Sequence, residues 1–124
     1  MKLGNLDLPS DVCRSVGDVL ARIGDKWSVL VIVLLKDGSK RFSELRREIG
    51  TVSQKMLTAT LRGLERDGYV KRTVTPTIPP RVDYELTDLG RDVMVPLNAM
   101  ANWALSRREQ VEAARKAYDK RNKR

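Results

Sequence analysis

Residues 53–68, SQKMLTATLRGLERDG, limit what this chain can fold into more than any other stretch. Leu57, Leu61 and Leu64 recur at i, i+4 and i+7 and form one apolar stripe on a helix. Lys55, Ala59, Arg62 and Arg66 fall roughly opposite that stripe, at about 100° per residue. Such a helix buries one face and presents cations around a small residue on the other. Ser53 can cap its start by accepting from a free N–H of the first turn. Gly68 can close it as a left-handed cap. Gly63 interrupts it, at about 1 kcal/mol relative to Ala. Alone, the pattern suits a solvated amphipathic helix as well as a DNA-reading one.

The flanking sequence separates the two. Upstream, Ser43 is placed to cap a shorter helix, with Glu44 in its first turn. Leu45 and Ile49 face inward at i, i+4, while Arg46 and Arg47 point elsewhere. Gly50-Thr51-Val52 makes the turn into Ser53. A short helix, a tight turn containing Gly and a longer helix with a cationic face compose a helix-turn-helix. Downstream, residues 69–75 and 82–86 read as strands, with Val82, Tyr84 and Leu86 alternating with Asp83 and Glu85. Between them runs Pro76-Thr77-Ile78-Pro79-Pro80-Arg81. Prolines cannot donate to a ladder, so this is a stiff protruding loop. A hairpin directly after a helix-turn-helix is a wing.

Residues 1–9 have little periodicity and read as an arm. Ser10 can cap a first helix, whose stripe is Val12, Val16, Val19, Leu20 and Ile23, and Gly24 ends it. The run from Trp27 to Leu35, WSVLVIVLL, contains enough β-branched residues for a buried strand. A buried helix of about ten residues fits better, because strands of that length are less common and Asp37-Gly38 supplies a helix stop. Lys40-Arg41-Phe42 can form a short strand. Thr87 caps the next helix, striped by Leu89, Val93, Leu97, Met100 and Ala104. Pro96 lacks an N–H and should kink or restart it. Residues 105–118 continue as helix, with Val111, Ala114 and Tyr118 on one side, and the last residues, KRNKR, read as frayed.

At 124 residues the chain suits one domain with a real core. Its apolar fraction of 41% and charged fraction of 32% describe a soluble globular protein. The longest apolar run, Val29 to Leu35, is too short to span a bilayer, and residues 1–11 lack a signal pattern, so cytoplasm is the expected compartment. The net charge of +8 is unevenly spread: zero over residues 1–38, +6 over 39–81, −3 over 82–106 and +5 over 107–124. The excess surrounds the candidate reading helix and the tail, which points to a polyanion partner. No basic segment carries the bulky apolar face that a membrane surface would need.

Catalytic readings are poor. The chain has no His, so neither a Ser-His nor a Cys-His dyad can be assembled. It has no Gly-rich phosphate loop. One cysteine without His argues against a transition-metal site and excludes an internal disulfide. No cofactor is expected. Trp27 and Trp103 sit in helical apolar contexts that favour core or pocket lining over base stacking.

Three stretches together resemble the HxlR family of bacterial transcriptional regulators, which are MarR-like winged-helix dimers. Ile23-Gly24-Asp25-Lys26-Trp27 is similar to the family's IGGKW, with Asp25 in place of the second glycine. Arg41-Phe42-Ser43-Glu44-Leu45, Ser53-Gln54-Lys55-Met56-Leu57 and Leu61-Arg62-Gly63-Leu64-Glu65 form the second match, with Gly63 where a larger residue is common. Residues 79–90, PPRVDYELTDLG, are similar to PPRVEYxLTxxG. The match runs from about Cys13 to Trp103. Cys13 sits where many members carry a cysteine, followed here by Arg14 rather than the proline often found there. The resemblance implies a redox-sensing role for Cys13, as in some members, beside its plain alternative as a packing residue. If Ser10 is the cap, Cys13 lies in the first helical turn, where the dipole favours a thiolate.

The expected fold is therefore mainly α with a small β-hairpin wing: one winged helix-turn-helix domain over 1–124. The helix-turn-helix and wing span about 39–86, and dimerisation helices span about 10–23 and 97–120. The first and last helices carry stripes that so small a domain cannot bury alone. They are expected to pair across a two-fold axis, with Val16, Met100, Trp103 and Val111 near the seam. The expected activity is sequence-specific binding of operator DNA by a homodimer, with a small molecule or oxidant as candidate effector. Ser53, Gln54, Lys55, Thr58 and Arg62 would face DNA from the reading helix. Arg46, Arg47 and Arg72 would hold phosphates, and the wing with Arg81 would touch the backbone or minor groove. The alternative is a protein–protein interaction module on the same fold. Salt separates them, because phosphate contacts weaken steeply as salt rises.

Overall fold

The computed structural model describes residues 2–123. At the N-terminus, where an arm was expected, β1 (Lys2–Leu3) and β2 (Leu6–Asp7) pair as a small antiparallel hairpin. α1 (Ser10–Ile23) follows, then α2 (Lys26–Leu34), which tightens into a 3-10 turn over Leu35–Asp37. β3 (Lys40–Arg41), α3 (Phe42–Ile49) and α4 (Gln54–Arg66) lead into β4 (Val70–Thr75) and β5 (Arg81–Leu86). α5 (Asp88–Arg121) closes the described chain.

The apolar run after Trp27 is a helix, and its burial shows why. Ser28, Val31, Ile32 and Leu35 are buried at i, i+3, i+4 and i+7, whereas Leu30 faces outward. That is one side of a 3.6-residue period, which a strand could not bury together. Asp25, at the position of the family's second glycine, caps this helix: its carboxylate accepts from the Ser28 N–H at 3.2 Å. α2 packs against α3, α4 and α5 in one core with Leu45, Leu57, Leu61, Leu64 and Leu97. Each such side chain contributes about 1.5–3 kcal/mol when fully buried.

The wing sheet is antiparallel, in the order β3-β5-β4. Val70 pairs with Leu86 at the base and Thr75 with Arg81 at the tip, so the hairpin projects away from the core that Val70 and Leu86 join. Its base is tied to both adjoining helices. α4 ends in a Schellman arrangement: Gly68 N–H donates to Glu65 O at 3.1 Å and Tyr69 N–H to Leu64 O at 2.9 Å. Gly68 takes φ +85, the left-handed conformation that costs other residues about 1–2 kcal/mol. Thr87 then accepts from Gly90 N–H as the cap of α5 and donates to Gly68 O.

Several expected boundaries differ. Pro9 holds the N-cap position of α1, and Ser10 is its first helical residue without a capping bond. Arg41, not Ser43, precedes α3. The Glu44 carboxylate reaches back to accept from Arg41 N–H at 3.0 Å, and the helix starts at Phe42, so Ser43 already lies inside its first turn. Of the kink or restart expected at Pro96, the restart does not occur: α5 runs 34 residues as one helix. One proline removes a single helical hydrogen bond, and the turns on both sides keep theirs. The end is less frayed than expected: Lys120 and Arg121 are helical, and Asn122 donates to Tyr118 O through both its N–H and its side chain. Arg124 lies outside the described residues.

Candidate nucleic-acid interface

The turn between α3 and α4 is built from its backbone outward. Gly50 adopts φ +79 and donates to Arg46 O at 2.9 Å, which ends α3. Val52 is buried and anchors the turn to the core. Ser53 caps α4, its hydroxyl accepting from Met56 N–H at 3.0 Å. With Leu57, Leu61 and Leu64 turned inward, Gln54, Lys55, Ala59, Arg62 and Arg66 are exposed and Thr58 is half-buried. Thr60, on the inner side, is buried with its hydroxyl donating to Met56 O at 2.9 Å.

The cations gather around this helix in two groups. Arg46, Arg47 and Gln54 line one open depression between α3 and the start of α4. Thr58, Arg62, Glu65, Arg72 and Tyr84 line a second, between α4 and the wing. Strand β4 thus delivers Arg72 to the flank of α4, where it pairs with Glu65 at 3.3 Å. Arg81, at the start of β5, pairs with Asp83 at 3.0 Å. Arg46, Arg47, Lys55 and Arg62 have no ion-pair partner among the described residues. Burial raises the Tyr84 pKa above its ordinary value, opposed by the nearby Arg72 and Arg62 and assisted by Glu65. The phenol is thus neutral at physiological pH and can donate a hydrogen bond.

The wing tip is braced by Thr77, whose N–H donates to Thr75 O and whose hydroxyl donates to Pro79 O, both at 2.8 Å. Ile78 projects fully exposed beside it.

The remaining predicted residues lie away from this face. Cys13 is half-buried in the first turn of α1. Its N–H already donates to Pro9 O at 3.0 Å, and its thiol lies 3.7 Å from Leu8 O as a donor. Val16 on α1 and Met100, Trp103 and Val111 on α5 are all exposed on the single chain. Trp103, expected in a core or pocket, is 61% exposed, while Trp27 packs on the core with Lys26 Nζ 4.3 Å from its ring centroid.

Two features escape sequence inspection. Glu65 and Tyr84 belong to the Arg72 cluster, but their contacts join residues from different elements and leave no periodic trace. Arg22 on α1 binds Asp67 at the end of α4, Nε to Oδ2 at 2.8 Å, across 45 residues of sequence. No helix among the described residues is long and apolar enough to cross a membrane.

A capped helix with a cationic outer face, preceded by a short helix and followed by a hairpin, defines a winged-helix DNA-binding regulator of transcription. The model of the HxlR-like helix-turn-helix family matches residues 22–112, and the chain belongs to that family. It is 45% identical over 103 residues to the HTH-type transcriptional regulator YtfH of Escherichia coli (strain K12), covering 83% of this chain and 79% of that one. The structure of the transcriptional regulator YtfH from Salmonella typhimurium superimposes with a TM-score of 0.75 at 44% identity, over 82% of this chain and 90% of that one. The redox regulator HypR in its reduced form gives 0.73 at 40% identity, over 80% and 98%.

Proposed function

We propose that this regulator acts as a homodimer that reads two operator half-sites, one with each copy of α4. The observation that carries the reading is the division of α4, with Leu57, Leu61 and Leu64 fully buried and Lys55 and Arg62 exposed and unpaired behind a Ser53 cap. In the proposal, Ser53, Gln54, Lys55, Thr58 and Arg62 face the major groove. Arg46, Arg47 and Arg72 hold phosphates, and Arg81 brings the wing to the backbone or minor groove. The regions 10–23 and 97–120 pair the subunits, leaving 39–86 to bind. The exposed stripe of α1 supports this, since Val12, Val16, Val19 and Leu20 all face solvent on the single chain. The protein works without catalysis, in the cytoplasm and on the nucleoid.

Its effector, in this reading, is an oxidant acting at Cys13 or a small molecule. Support comes from the position of Cys13 on α1, which this reading assigns to the dimer, and from the likeness to the redox regulator HypR. A single cysteine per chain would respond through an adduct or a bridge between subunits. The test is binding to duplexes selected from random DNA, titrated with salt. A binder neutralising several phosphates should lose affinity steeply and log-linearly. Salt-independent binding, or equal binding of scrambled duplexes, would favour a protein-interaction module instead.

A further inference from the structure

We propose that Arg22 is a positioning residue for DNA recognition, clamping α1 to the reading helix and so setting the half-site spacing that the dimer accepts. The inference rests on the homodimer reading above.

α1 buries none of its side chains fully, and Ile23 at its end is what packs on the core. Arg22, the residue before it, reaches across to α4. Its Nε binds Asp67, the residue that ends α4, at 2.8 Å. The rest of the guanidinium lies over Gly63. A Cβ at position 63 would stand 2.1 Å from Nη1 and 2.5 Å from Cζ, so any larger residue there must displace the group. Gly63 and Asp67 are four residues apart, about one helical turn. The planar group therefore holds the reading helix at two points, by contact at one and by a charged hydrogen bond at the other. The cation also faces the negative end of the α4 dipole.

An ion pair this exposed contributes little to stability, so restraint is the consequence that matters. A two-point grip resists rolling of α4 against α1. The stripe assigned to the subunit seam runs along the same helix, flanked at its C-terminal end by Arg22, and the outer face of α4 carries Lys55 and Arg62. Arg22 thus sits in the connection between seam and groove. It also accounts for a glycine within the reading helix, where a better helix former would exclude the guanidinium.

The test uses duplexes selected by the wild-type protein from random DNA, together with copies in which one or two base pairs are inserted or removed between half-sites. Binding is followed by fluorescence anisotropy, with light scattering and thermal unfolding on the same samples. Wild type should prefer the selected spacing by on the order of tenfold or more. Arg22→Ala and Gly63→Ala should both flatten that preference while staying dimeric and folded. In the Arg22→Ala background, Gly63→Ala should change nothing further, because the group it displaces is gone. Wild-type spacing preference in both single variants, or effects that simply multiply in the double variant, would overturn the clamp. A monomeric wild type would instead sink the dimer reading, and the inference with it.

Discussion

Lys55 and Arg62 illustrate how a side chain becomes available for recognition. Both stand on the face of α4 opposite three buried leucines, and neither has an ion-pair partner among the described residues. Replacing either with Ala should cost about 1–3 kcal/mol and relax preference at one position if it reads a base, or weaken all sequences alike if it holds a phosphate. Unchanged binding of every probe by both variants, measured by anisotropy, would remove the assignment. Arg72 differs, because Glu65 already occupies it. Glu65→Gln frees that guanidinium and deletes a repelling charge, so affinity for any duplex should rise, most visibly at low salt. At Cys13 the expected outcome is that hypochlorite or a quinone changes DNA affinity in the wild type and not in Cys13→Ser. Equal responses would leave it as a packing residue. The exposure of Lys55 and Arg62 was legible because helical period and charge both display it. The Arg72–Glu65 pair was not, since a cross-element contact depends on where two backbones meet.

Helix ends show where local chemistry is ambiguous. Ser53 and Thr87 cap as their sequences imply, whereas Ser10 and Ser43 have the same hydroxyl and do not. The difference lies in where the helices start: Arg41 takes the N-cap position ahead of Ser43, with Glu44 bonding back to its N–H, and Pro9 takes it ahead of Ser10. Removing the Ser53 hydroxyl should cost about 1 kcal/mol in global stability by leaving the Met56 N–H without its cap. Gly68→Ala should cost about 1–2 kcal/mol because its φ of +85 is left-handed. Denaturant unfolding checks both, and no loss at Gly68 would mean that the α4–β4 junction can take another shape. Pro96 shows the reverse ambiguity. Its rule is local, but a 34-residue helix retains enough hydrogen bonds on either side to pass through it.

At the scale of the whole molecule, the dominant fact is uncovered apolar surface on α1 and α5. Val16 and Met100 follow helical stripes that the sequence displays at once, and with Trp103 they stay exposed among the described residues. Periodicity tells which residues share a face and not which surface meets it, which is why Trp103 could be taken for a core residue. With a second copy covering those stripes, two reading helices face one side of a duplex, about one helical turn or roughly 34 Å apart. Met100→Glu with Val16→Asp should give a folded monomer with much weaker DNA binding. The most direct measurement is hydroxyl-radical footprinting of the wild-type protein on a duplex selected from random DNA. Two protected patches about one turn apart on the same face are the predicted result. A single patch, or uniform protection without register, would contradict a dimer that reads two half-sites.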